Sequence, residues 1–142
     1  MKRLHHLIYQ SRVLRALSAT ELERLRDQSQ QANQRAGITG ILWYDGQRFL
    51  HILEGPGAVV RELFARIRLD CRHADVQVLA NGPIAQRQFQ CWEMAILRRS
   101  GRLLKQGDSC EPTPDALADH TLQLLLQDFQ HTVLSAAVRY RP

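Results

Sequence analysis

Polar groups on otherwise apolar stretches mark where this chain could do chemistry: Tyr9, Asn33 and His51, with Trp92 and Met94 as a pair on one strand. A tyrosine hydroxyl both donates and accepts, a carboxamide carries a donor and an acceptor, and a neutral imidazole has one of each. An imidazole with an unperturbed pKa near 6.5 also takes up a proton close to neutrality. Taken one at a time, each residue is ordinary. A tyrosine in a core has a satisfied hydroxyl, an asparagine near a helix end faces solvent or belongs to the terminus, and Trp92 and Met94 are plain core. On periodicity alone the set describes a soluble α/β domain with a polar-lined interior.

The elements that must position these residues are legible. Residues 3–10 alternate as a first strand, with Leu7 and Tyr9 on one face and Leu4 and Ile8 on the other. Ser18-Ala19-Thr20-Glu21 has capping-box spacing and opens a helix over about 19–36, with Leu22, Leu25, Ser29, Ala32 and Ala36 at helical intervals and Gly37 as its stop. A hairpin turning at Asp45-Gly46 follows, and its second strand puts Phe49, His51 and Leu53 on one face. After Gly55-Pro56-Gly57, Val60, Leu63, Phe64 and Ile67 form one face of a second helix ending near Asp70. Strands over about 75–80 and 89–97 complete the order β-α-β-β-α-β-β. That order predicts an α+β, ferredoxin-like sheet with two helices on one face. Residues 100–112 read as a loop with a helical turn. Thr113-Pro114-Asp115 opens a further helix with the stripe Leu122, Leu125, Leu126, Phe129 and Val133, which covers the free sheet face or pairs protomers. The expected division is a domain over 1–98 and a helical extension over 99–142 in the same compact unit.

Composition narrows the class. The chain has 142 residues, 44% hydrophobic and 23% charged, with a net charge of +5, which suits one globular domain. No apolar run reaches the roughly 20 residues of a membrane span, and Met1-Lys2-Arg3-Leu4-His5-His6 is followed by no long apolar stretch. A cytoplasmic protein is expected. Cys71, Cys91 and Cys110 are widely spaced and suggest neither a disulfide framework nor a metal knuckle, and Cys91 reads as a small core residue. The basic residues are mostly arginines scattered among acids, with Arg98, Arg99 and Arg102 the tightest group, so nucleic-acid binding is the weaker reading. Phosphate-loop, dinucleotide and HExxH motifs are absent. Acyl-phosphate hydrolysis ranks low because no spacing supports it.

Order and spacing together resemble one family, the BLUF domains, flavin-binding blue-light sensors. The resemblance runs from about Leu4 to Ile96 and rests on Leu7-Ile8-Tyr9-Gln10-Ser11, Asn33 ahead of Gly37-Ile38-Thr39-Gly40, and Phe49-Leu50-His51-Ile52-Leu53-Glu54-Gly55-Pro56. Arg66-Ile67, Asp70-Cys71-Arg72-His73, Phe89 and Trp92-Glu93-Met94 extend it. It implies FAD, or FMN, held noncovalently between the two helices against the sheet. By position, Tyr9 matches the tyrosine that gives an electron and a proton to the excited flavin, and Asn33 the group that bonds the ring's polar edge. Arg66 matches a cation near the phosphates, Asp70 and His73 match pocket positions, and Trp92 and Met94 match the pair that passes the signal outward. An oxidised flavin needs an apolar slot with a few convergent polar groups, and small Ala32 and Ala36 would let a flat ring approach.

His51 departs from the family pattern, which has a glutamine there whose carboxamide exchanges hydrogen bonds on illumination. Three outcomes stand open: a histidine-based switch, flavin binding without the usual signalling state, or loss of flavin. Cys91 replaces an often acidic residue, a change of local packing. The leading expectation is a short photoreceptor without a catalytic domain, signalling to a partner protein and forming a homo-oligomer. The alternative is an interaction module without normal photoactivity. A flavin-dependent redox enzyme ranks third.

Overall fold

In a computed structural model, residues 3–97 and 103–105 are described. Their elements run β1 (Leu4–Val13), α1 (Ala19–Ala36), β2 (Thr39–Tyr44), β3 (Arg48–Pro56), α2 (Gly57–Arg68), β4 (His73–Pro83), β5 (Trp92–Leu97) and β6 (Leu103–Lys105). The sheet order is β4-β1-β3-β2-β5-β6. The first four strands pair antiparallel, β5 lies parallel to β2, and β6 is antiparallel to β5. This is the expected ferredoxin-like α+β plan with one strand added at its edge.

Local chemistry fixes the entry and exit of α1. Ser18 accepts from the Glu21 N–H at 3.1 Å, and the Glu21 carboxylate accepts from the Ser18 N–H at 3.2 Å, completing the capping box. Gly37 closes the helix at φ 73°, where a side chain would be strained. Between β2 and β3, Asp45 N–H and the Arg48 carbonyl close the turn at 3.3 Å, so Gly46 and Gln47 occupy its centre, one residue later than the sequence suggests. Gly46 takes φ 92° at the first central position, and the Asp45 carboxylate accepts from the N–H groups of Gln47 and Arg48. Gly40 has φ 141°, and a Cβ there would run into the Ile52 carbonyl.

Both faces of the sheet carry apolar clusters. On the helix side, Leu7, Tyr9, Leu42, Phe49, Leu53, Trp92 and Met94 meet Leu22 of α1 and Val60 and Phe64 of α2. On the other side, Ile8, Ile41, Trp43, Leu50 and Ile52 pack with Phe89. The period-2 alternation of each strand thus sends one residue set to each cluster.

Several boundaries differ from expectation. β1 continues to Val13 and β4 starts at His73, because these ends pair with each other. β5 begins at Trp92 rather than 89, while Phe89 stays buried in the preceding loop. β6 falls in a segment expected to be a loop; three residues hold too little pattern to show as a strand without their partner. Cys91 is disulfide-bonded, its partner lying outside the described residues, so the expected absence of disulfides is overturned. Pairing depends on proximity in space, which wide sequence spacing does not reveal. The Arg98, Arg99 and Arg102 group and the proposed C-terminal helix lie outside the described residues.

Candidate functional site

The register of β1 and β3 puts Tyr9 directly opposite His51. Leu42 is His51's partner on β2, and Met94 is Leu42's partner on β5, so one row crosses the helix side of the sheet. Trp92 sits two residues before Met94 on the same face. The Tyr9 hydroxyl lies 2.9 Å from His51 Nδ1, and Trp92 Nε1–H donates to His51 Nε2 at 3.1 Å. Tyr9, His51 and Trp92 are all buried, and Tyr9 stacks on Phe64 with ring centroids 5.4 Å apart.

Over this row the two helices leave a cleft of about 580 Å³ including its open mouth. Leu25, Ser29 and Asn33 of α1 line one wall, and Leu63 and Ile67 of α2 the other. Tyr9, Leu42, Phe49, His51 and Trp92 form the floor, with Asp70, Arg72 and His73 at one end. The α1 wall follows i, i+4, i+8, so its small residue is Ser29. Ala32 and Ala36 are exposed, which corrects the expectation that they face the ring.

Charge is managed by burial. Burial and the neighbouring His73 hold the His51 imidazole down to about 3, so it is neutral at ordinary pH. Burial pushes the Tyr9 phenol far above its ordinary value, and Asp70 adds to this, so Tyr9 keeps its proton. Asp70 is bonded by the Arg72 guanidinium, which holds the carboxyl below its usual range. His73 Nε2–H donates to the Ile67 carbonyl at 2.7 Å, and the Ser11 hydroxyl donates to Nδ1 at 2.7 Å.

Asn33 tests whether the cleft suits a ligand with a polar edge. It is 5% exposed and lines the cleft, yet among the described residues its carboxamide has no hydrogen-bond partner. Its polar atoms are open to the cleft, since among the described residues the fully buried side-chain polar atom without a partner is Trp43 Nε1, so they are available to a ligand presenting donors and acceptors to α1. With apolar walls and three further polar groups on the floor, the donor set fits an aromatic heterocycle such as a flavin ring.

Of the residues singled out from sequence, Tyr9, Asn33, His51, Asp70, His73 and Trp92 meet in this cleft. Met94 is buried beside it in the core, not on its wall. Arg66 lies on the exposed side of α2 and is not part of the lining. Two polar residues were not foreseen as functional. Arg72 lies inside Asp70-Cys71-Arg72-His73, and its role shows only through its fork onto Asp70. Glu54, fully buried on β3, accepts from the Gln88 and Phe89 N–H groups at 2.8 and 3.0 Å and from the Thr39 hydroxyl at 3.1 Å. No sequence signal joins it to residues so distant along the chain.

Fold and cleft together define a ferredoxin-like domain whose two helices frame a cleft over a hydrogen-bonded Tyr-His-Trp floor. Residues 4–95 match the family model described as BLUF, sensors of blue-light using FAD, and the chain belongs to that family of blue-light sensors. It is 39% identical over 62 residues to the photoactivated adenylate cyclase subunit beta of Euglena gracilis, which takes in 44% of this chain and 7% of that protein. It is 29% identical over 83 residues to the blue light- and temperature-regulated antirepressor BluF of Escherichia coli K12, covering 58% of this chain and 21% of that one. The dark-state structure of BlrB, a BLUF protein, matches with a TM-score of 0.65 at 31% identity over 98% of each chain. The chain thus spans a small part of the cyclase subunits and nearly all of BlrB. Among the described residues, no helix is long and apolar enough to cross a membrane, and no group of His, Cys, Asp and Glu could hold a metal ion.

Proposed function

We propose that this chain is a blue-light sensor that binds FAD, or FMN, noncovalently in the cleft between α1 and α2. The observation that carries it is the unpaired Asn33 carboxamide facing the Tyr9–His51–Trp92 row. Bound flavin would supply blue-light absorption and an excited state that accepts an electron. Tyr9, neutral and buried, is the donor at the floor, and Asn33 holds the ring's polar edge. His73 and Asp70 close one end of the cleft, and Arg66, exposed on α2 and outside the lining, is the cation that would meet phosphates extending beyond it. Trp92 and Met94 carry the change around His51 into β5. Output passes to a partner protein or between protomers of a cytoplasmic homo-oligomer, with no catalysis by the domain itself. Reconstitution tests the binding: a yellow protein retaining stoichiometric FAD through gel filtration is expected, and a colourless one overturns it.

One observation favours a second reading. Both His51 nitrogens are engaged, so the ring cannot rotate as a carboxamide would without breaking contacts. The domain would then hold flavin as an interaction module without the usual photoproduct. His51→Gln separates the two: a light response that appears only in the variant supports the module.

A further inference from the structure

His51 has two ring nitrogens, and each faces a different group. The indole Nε1 of Trp92 carries a hydrogen and is a donor only. Its place 3.1 Å from His51 Nε2 demands a lone pair on that nitrogen. A neutral imidazole has one such lone pair, so Nδ1 carries the hydrogen. Nδ1 lies 2.9 Å from the Tyr9 hydroxyl and therefore donates to the phenol oxygen. The imidazolium form would set an Nε2–H against the Trp92 N–H, two donors without an acceptor. Among the described residues the Tyr9 hydroxyl touches no other partner, so its own hydrogen points to none of them. Tyr9 lines the cleft.

We propose that Trp92 sets the tautomer of His51, making His51 a donor to Tyr9 and leaving the Tyr9 O–H to donate into the cleft. Trp92 is thus a positioning residue for Tyr9, acting through His51. Two consequences follow. The ligand atom over Tyr9 must be a hydrogen-bond acceptor, since a donor there would meet the phenol hydrogen. Nδ1 of His51 also has no lone pair to receive a proton from Tyr9 while Trp92 stays bonded. The tautomer itself needs no ligand; only naming the acceptor as a flavin heteroatom rests on the proposed function.

Nitrogen-15 NMR of the full chain labelled at histidine reads the tautomer, with His51→Gln assigning the signals. The expected spectrum shows His51 with Nδ1 protonated and Nε2 bare, both without flavin and after FAD is added. Trp92→Phe should move population to the Nε2–H form, whereas Tyr9→Phe should leave Nδ1–H in place. An Nε2–H tautomer in the unmodified chain, or an Nδ1–H population untouched in a folded Trp92→Phe variant, overturns the proposal. A chain that takes up no FAD but shows the Nδ1–H tautomer supports the proposal while removing the flavin reading.

Discussion

Two buried polar residues stand three positions apart on β3 and do opposite things. Glu54 is 0% exposed, and its carboxylate is filled by two backbone N–H groups and the Thr39 hydroxyl. Arg87 closes the same corner through the Thr39 hydroxyl and the carbonyls of Glu54 and Gly37. That network is complete, and it ties the loop ahead of β5 to β2 and β3. His51 faces the other side of the sheet, toward a cleft that Tyr9 and the α1 residue Asn33 also line, and there the Asn33 amide and the Tyr9 hydroxyl hydrogen have no partner among the described residues. A satisfied buried polar group is architecture. A polar group open to a cleft is available to a ligand.

Among the substitutions, breaking the complete network should have the largest effect on stability. Glu54→Ala leaves the buried Phe89 N–H and the half-buried Gln88 N–H without acceptors, and should cost about 3 kcal/mol of stability in urea denaturation. Affinity for FAD per folded molecule should stay within a factor of about two, since Glu54 lies off the cleft.

Acid should act on the other residue of the pair. His51 has a folded pKa of about 3 against an ordinary 6.5. Its contribution to stability is therefore complete above pH 6.5 and is lost as pH falls toward 3. Stability should fall relative to His51→Gln by about 1.4 kcal/mol per pH unit in that window. Burial raises the Glu54 carboxyl, a contribution of opposite sign, present below its unfolded pKa and lost as pH rises through the folded one. Both proteins share it, so the difference between them isolates His51. Parallel curves for the two proteins would break the assignment.

The cleft itself should respond in affinity rather than stability. Asn33→Ala should weaken FAD binding about tenfold, roughly 1.4 kcal/mol, with a smaller change in stability. Fluorescence titration beside urea unfolding separates the two quantities. The smallest effect belongs to the cleft's end, where Arg72 and Asp70 are partly exposed. Arg72→Ala should cost under about 1 kcal/mol of stability.

The contrast also explains what the sequence shows and what it hides. The capping box of α1, the hairpin and the alternation around His51 are local, so they are legible as residue patterns. Tyr9, Asn33, His51 and Trp92 can be picked out because each interrupts an apolar periodicity. Glu54 cannot, because a glutamate at a strand end reads as solvent-facing until Gln88 and Phe89 arrive from a distant loop. Ala32 and Ala36 mislead for a related reason: the helical face that meets the cleft drifts from Leu25 through Ser29 to Asn33. β6 and the Cys91 disulfide depend on tertiary contact and have no local signature.

A light-minus-dark absorption spectrum of the FAD-loaded chain, beside its Tyr9→Phe variant, tests the central claim most directly. A reversible red shift of the flavin band in the unmodified chain, absent in Tyr9→Phe, is the expected result. An unchanged spectrum after blue light, or a shift that survives in Tyr9→Phe, would contradict it.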